Sequence, residues 1–190
     1  AYGLELGTAG ILAATYALPG SIFRALGGWL SDKVGARKVM YWTFIASLLC
    51  TLVMSYPSTD YTVAGINGPL EFNLTIPLWL FVGMTIVLGF FMSLGKAAVY
   101  KHIPHYFPDN VGSVGGIVGL IGGLGGFILP STFGGMNDRI GVWTSCFMLL
   151  TVIIAVSLTW MHFAILRAEK EAHPELSEPG FLPELRDVNK

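Results

Sequence analysis

Charge is scarce in this chain. Asp, Glu, Lys and Arg make up 12% of its 190 residues, about half the share found in an ordinary soluble domain. The residues between the charges form long apolar runs, with 53% of the chain hydrophobic. That pattern excludes a soluble globular domain and reads as an integral membrane protein. Cysteine is scarcer still. Cys50 and Cys146 both fall inside apolar runs, without metal-ligand spacing, and read as packing residues. No basic cluster suggests nucleic acid, and a net charge of -1 selects no partner. There is no nucleophile–base pair and no usable nucleotide motif, so the reading is not an enzyme, with no catalytic residue, metal or cofactor expected. No signal-peptide pattern opens the chain. It starts at Ala1 without Met and reads as part of a longer protein.

Apolar runs predict five spans, at about 9–30, 39–56, 77–99, 111–133 and 142–166, each near the roughly 20 residues that a spanning helix needs. Residues 1–166 form the transmembrane unit and 167–190 a charged tail. Between the spans, 57–76 reads as a polar aqueous loop, 101–110 as a basic turn with two prolines, and 134–141 as a short loop. Lys33, Arg37, Lys38, Lys101, Arg167, Lys170, Arg186 and Lys190 gather on one side; the other has only Arg139, because 57–76 holds Asp60 and Glu71 but no basic residue. The positive-inside rule puts the basic side and the C-terminus in the cytoplasm, in a multi-pass protein of the inner or plasma membrane.

One charge interrupts the first span. Arg24 lies roughly 12 Å inside the charged turn that begins at Asp32, taking about 1.5 Å per residue. In a hydrocarbon core about 30 Å thick, that is close to mid-depth. A charge there costs on the order of 3 kcal/mol, and such residues usually face a polar or water-filled interior. Gly20, Ser21, Gly27 and Gly28 lie three or four residues away, so the helical face around Arg24 is expected to be small. An Arg that snorkels to the headgroups is one reading; an anion-binding Arg in a transport pathway is the reading preferred. Lys96 is the second charge inside a span, either snorkelling or tuning the same pathway. No carboxylate falls inside a predicted span.

The fourth span is a glycine ladder. Gly112/Gly116, Gly115/Gly119, Gly119/Gly123 and Gly122/Gly126 are all four residues apart. In a bilayer that spacing lets helices approach backbone to backbone; it also lets a small ligand reach the backbone. A phosphate-cradling loop is excluded, because no strand precedes the run and no Lys-Ser/Thr follows it.

Gly28-Trp29-Leu30-Ser31-Asp32-Lys33-Val34-Gly35-Ala36-Arg37-Lys38 resembles the cytoplasmic loop motif of the major facilitator superfamily. Phe23-Arg24-Ala25-Leu26-Gly27-Gly28, together with Gly119-Leu120-Ile121-Gly122-Gly123-Leu124-Gly125-Gly126-Phe127-Ile128-Leu129-Pro130, resembles the nitrate/nitrite porter (NarK-type) family within it. Gly95-Lys96-Ala97-Ala98-Val99-Tyr100-Lys101-His102-Ile103-Pro104 is similar to one branch of that family. The resemblance implies an all-α, multi-pass fold of which this chain supplies about helices 8–12 of 12, with the N-terminal half of the same carrier missing. It implies nitrate and nitrite as substrates, with Arg24, Gly116 and Gly119 at the anion, Lys96, Gly122 and Gly123 along the pathway, and Asp32, Gly35 and Arg37 as a gating loop. The planar fork of Arg suits a planar oxyanion independently of any family. Nitrate/nitrite exchange and proton/nitrate symport both stay open. So do two other functions: a carrier of another small anion, and a non-transporting membrane subunit or sensor.

Overall fold

The computed structural model describes residues 5–66 and 68–172. The chain forms α1 (Leu6–Val34), α2 (Ala36–Met54), a hairpin of β1 (Thr59–Gly65) and β2 (Gly68–Leu74), α3 (Leu78–Tyr106), a 3-10 turn at Pro108–Asn110, α4 (Val111–Ile140) and α5 (Ser145–Ala172). Four helices among the described residues are long and apolar enough to cross a membrane: α2, α3, α4 with its preceding turn, and α5 up to Ala168. α1 has 29 residues, as many as α3.

α1 and α3 run side by side in the same direction. The Phe23 ring meets the Phe90 ring edge-on at 4.8 Å, and one turn later Gly27 lies against Leu94. A methyl group on Gly27 would stand 2.8 Å from the Leu94 Cα. A methyl on Gly95 would stand 2.5 Å from the Thr43 Cγ2 of α2. Two glycines therefore set the spacing of three helices, which close on a core of Val39, Leu94 and Ala98 with Leu30, Phe90 and Phe91 packed around it. α5 joins α2 through Tyr41 and His162, whose hydroxyl and Nδ1 are 2.9 Å apart. It meets the start of α3 through Phe81, whose ring lies 5.7 Å from those of Trp143 and Phe147. His162 thus links two helices through a partner 121 residues away.

Three connections differ from the sequence reading. The stretch 57–76 holds an antiparallel hairpin, with Tyr61 opposite Phe72 and Val63 opposite Leu70. The alternation of Tyr61 and Val63 with Leu70, Phe72 and Leu74 is its signal. Tyr56 and Tyr61 share a hydrogen bond that ties the hairpin to the end of α2 and pushes the Tyr61 phenol above its ordinary pKa. The turn expected from residue 101 is still helix as far as Tyr106, with Pro104 inside it; a proline in the last turn removes only one hydrogen bond. The loop expected at 134–141 is likewise helix, up to Ile140. Its stop is Gly141, at φ +72 with its N–H bonded to the Asn137 carbonyl at 2.9 Å, a left-handed cap that favours glycine. At the other end of the chain, α5 carries the first residues of the expected tail, and 173–190 lie outside the described residues.

Candidate functional site

Arg24 lies on α1, next to the Phe23 that packs on α3, and its own side chain is exposed. Among the described residues no ion pair or hydrogen bond holds it. The small face expected around it is only partly open. Gly20 and Gly28 have free space beside them, but Gly27 is filled by the backbone of α3. Glycine there serves the helix seam and leaves no room for the guanidinium.

The glycine ladder of α4 behaves in the opposite way. A methyl group on Gly112, Gly116, Gly122, Gly123, Gly125 or Gly126 would meet nothing within 4 Å, and no residue of α4 is buried. Within the described residues the ladder packs backbone to backbone against no helix. Gly119, Gly122 and Gly123 instead line one wall of a half-open cleft of about 610 Å³, whose other sides are formed by α2, α3 and Ile154 of α5. Lys96 and Tyr100, one helical turn apart on α3, line the facing wall with Thr43 and Ser47 of α2. The fold thus brings together Lys96, Gly119, Gly122 and Gly123. Arg24 and Gly116 do not line this cleft.

The predicted gating residues do meet side chains of α3. Gly35 separates α1 from α2 at φ +94, and its N–H bonds the Ser31 carbonyl at 3.2 Å; glycine adopts this backbone without strain. The reversal places Asp32 beside Lys101, with which it pairs. It also places Arg37 at the end of α3, where Nη2 and Nε donate to the Tyr106 hydroxyl at 2.8 and 3.2 Å. Lys33 sits 4.2 Å over the Trp29 ring. One end of the three-helix seam is therefore fastened by an ion pair and a guanidinium–phenol bond.

Sequence reasoning missed Ser47, Tyr100 and Tyr106. Tyr100 stands four residues after Lys96 and Ser47 four after Thr43, so helical spacing could have placed each pair on one face; that the two faces look at each other is a tertiary fact. Tyr106 carried no signal, since its partner is 69 residues away. Among the described residues no three His, Cys, Asp or Glu side chains gather in a way that could hold a metal ion.

Comparison with known proteins agrees with this architecture. The family model described as Major Facilitator Superfamily matches residues 1–188. The chain is 42% identical over 169 residues to a probable nitrate/nitrite antiporter, NarK1, of Thermus thermophilus, covering 87% of this chain and 38% of that protein. It is 27% identical over 165 residues to the nitrite extrusion protein of Bacillus subtilis, covering 85% and 37%. To a probable nitrate transporter, NarT, of Staphylococcus aureus it is 26% identical over 160 residues, covering 84% and 36%. The chain thus spans little more than a third of the length of these relatives. No solved structure matches it. With a family match over nearly its whole length and a bundle of long apolar helices, the chain belongs to the Major Facilitator Superfamily, a family of membrane transporters and not of enzymes.

Proposed function

We propose that this chain is the C-terminal portion of a nitrate/nitrite transporter, in which Arg24 holds the anion near mid-membrane and access alternates around it. The observation that carries the reading is the coincidence of an Arg without a partner among the described residues, within a long helix, and 42% identity to a probable nitrate/nitrite antiporter. The guanidinium fork can give a planar monoanion two parallel hydrogen bonds. Its exposed position, with no carboxylate paired to it among the described residues, suits a group that faces the other half of the carrier, and sites in such folds lie between the halves near the midplane. Gly116 and Gly119 then offer backbone along α4. The ion pair of Asp32 with Lys101 and the bond of Arg37 to Tyr106 form a fastening on the cytoplasmic side, which has to loosen when the pathway opens inward. The basic residues at that end orient the protein with its C-terminus in the cytoplasm.

The test is nitrate uptake into proteoliposomes holding the complete carrier, with and without internal nitrite, for wild type and Arg24→Ala. Uptake that needs Arg24 and rises with internal nitrite supports exchange; uptake that needs Arg24 and follows a proton gradient supports symport. Unchanged uptake by Arg24→Ala sinks the site assignment. Uptake of another small anion in place of nitrate would move the protein to the alternative carrier function.

A further inference from the structure

The hairpin between α2 and α3 is amphipathic. Directly opposed residues of antiparallel strands share a face, so Thr59, Tyr61 and Val63 stand on one face with Leu74, Phe72 and Leu70. Asp60, Thr62 and Ala64 stand on the other with Asn73, Glu71 and Pro69, and there the Asn73 amide donates to the Asp60 carboxylate. The first face is apolar apart from Thr59 and the Tyr61 hydroxyl. Its Tyr61, Val63, Leu70, Phe72 and Leu74 are all left exposed among the described residues. A two-stranded hairpin is marginal in water by itself and needs a surface to pack on.

α2 shows which surface that is. Thr43, Ser47 and Thr51, spaced by four, are buried, and Thr43 meets α3 at Gly95 and donates to the Phe91 carbonyl at 3.1 Å. Ile45, Leu49 and Leu52 are turned from Thr43 by about 200°, 240° and 180° at about 100° per residue, and all three are exposed. A spanning helix with its hydroxyls inward and an unbroken apolar stripe outward turns that stripe to the acyl chains. Tyr56 stands four residues after Leu52, and its N–H still bonds the Val53 carbonyl at 3.3 Å, so the stripe runs on into it. Tyr56 in turn shares its hydrogen bond with Tyr61, on the apolar face of the hairpin. The lipid-facing stripe and the apolar face of the hairpin are thus joined at one tyrosine pair. Tyr56 and the exposed Trp79, in the first turn of α3, mark the headgroup level at which such rings collect.

We propose that the hairpin is a membrane-surface anchor. Its face of Tyr61, Val63, Leu70, Phe72 and Leu74 lies on the headgroup–acyl boundary of the leaflet opposite the Asp32–Lys101 end, and its face of Asp60, Thr62, Glu71 and Asn73 meets water. The tethers hold it there. Only residues 55–58 and 75–77 separate the strands from α2 and α3, a reach of at most about 14 Å. The depth follows from the backbone. Each strand has one unpaired edge, which hydrocarbon would leave unsatisfied, whereas the apolar face avoids water. The boundary between the two meets both demands. The stretch 57–76 holds Asp60 and Glu71 and no basic residue, so the contact rests on apolar area and not on attraction to anionic lipid. The inference goes beyond the transported anion and holds whichever one is carried.

The test uses the complete carrier, with its other cysteines replaced, in phosphatidylcholine vesicles. A single cysteine carries a nitrobenzoxadiazole label, at Val63→Cys or Phe72→Cys on the apolar face and at Thr62→Cys or Glu71→Cys on the other. Phosphatidylcholine spin-labelled high on its acyl chain is expected to quench the labels at 63 and 72 several times more than those at 62 and 71. Iodide in the water is expected to give the reverse order. Equal and strong iodide quenching at all four positions would place the hairpin in water and overturn the proposal. Protection of 63 and 72 from both quenchers would mean that protein covers the face, from the rest of the carrier or a second copy, and would overturn it equally. Where the labelled variants do not fold, the unsubstituted carrier decides. Phosphatidylcholine with a photoactivatable diazirine high on its acyl chain is expected to cross-link within residues 59–74. Cross-linking to α2 near Leu52 with none in 59–74 would sink the anchor.

Discussion

Glycine has opposite uses on the two sides of α3. On the side of α1 and α2, Gly27 and Gly95 are filled spaces, with Leu94 and Thr43 where a side chain would go. On the side of α4, the ladder Gly112–Gly126 has open space along almost its whole length. The same residue locks one seam and leaves the other free. The sequence pattern alone could not distinguish them, since spacings of four residues serve close packing and ligand access equally. The seam of α1, α2 and α3 is the closely packed part of the described structure, and the α4 ladder the part left uncovered.

Substitutions at the two kinds of glycine should break that comparison or sharpen it. The largest effect is expected for Gly27→Leu. Its side chain would overlap the Leu94 backbone, and overpacking of this kind costs about 1–3 kcal/mol or more. Purified complete carrier should show a much lower melting temperature and yield; a wild-type melting curve would mean that α1 and α3 do not approach as described. Gly95→Val should come next, also as a stability loss, with Thr43 forced to move. His162→Phe removes a part-buried bond between α5 and α2 and should cost about 1 kcal/mol. A double-mutant cycle with Tyr41→Phe would show whether that cost belongs to the pair.

Smaller again is the fastening of Asp32 to Lys101. Both partners are substantially exposed, so Asp32→Asn should change stability by no more than about 0.5 kcal/mol. Its expected signature is conformational: a changed ratio of inward- to outward-facing carrier, read by cysteine accessibility at the Asp32–Lys101 end, while nitrate binding stays as in wild type. Gly126→Ala should have the smallest effect on stability, within about 0.5 kcal/mol of wild type, because its methyl meets open space. A large destabilisation there would show that α4 is packed as tightly against the rest of the carrier as α1 is against α3.

Much of the protein was decided by local chemistry and could be read directly. Long apolar runs need helices in a bilayer, because every backbone polar group has to be satisfied within the segment. Gly35 marks the break between α1 and α2, and Lys and Arg at one set of ends suggest the orientation. Arg24 stands out because it interrupts an apolar run. The errors fell where local signals compete. The polar stretch 57–76 hid a period-2 alternation, and the prolines and glycines at 101–110 and 134–141 marked helix ends several residues too early.

What the sequence by itself determined was the class of the protein and its long helices. Only the tertiary structure decided which glycines are filled and which are open, that Lys96 and Ser47 line one cleft while Arg24 faces elsewhere, and that Arg37 and His162 find tyrosines 69 and 121 residues away. The physical reason is the range of the interactions. Helix formation and the cost of burying charge act within a segment, whereas the fit of one helix against another depends on residues that the segment does not contain.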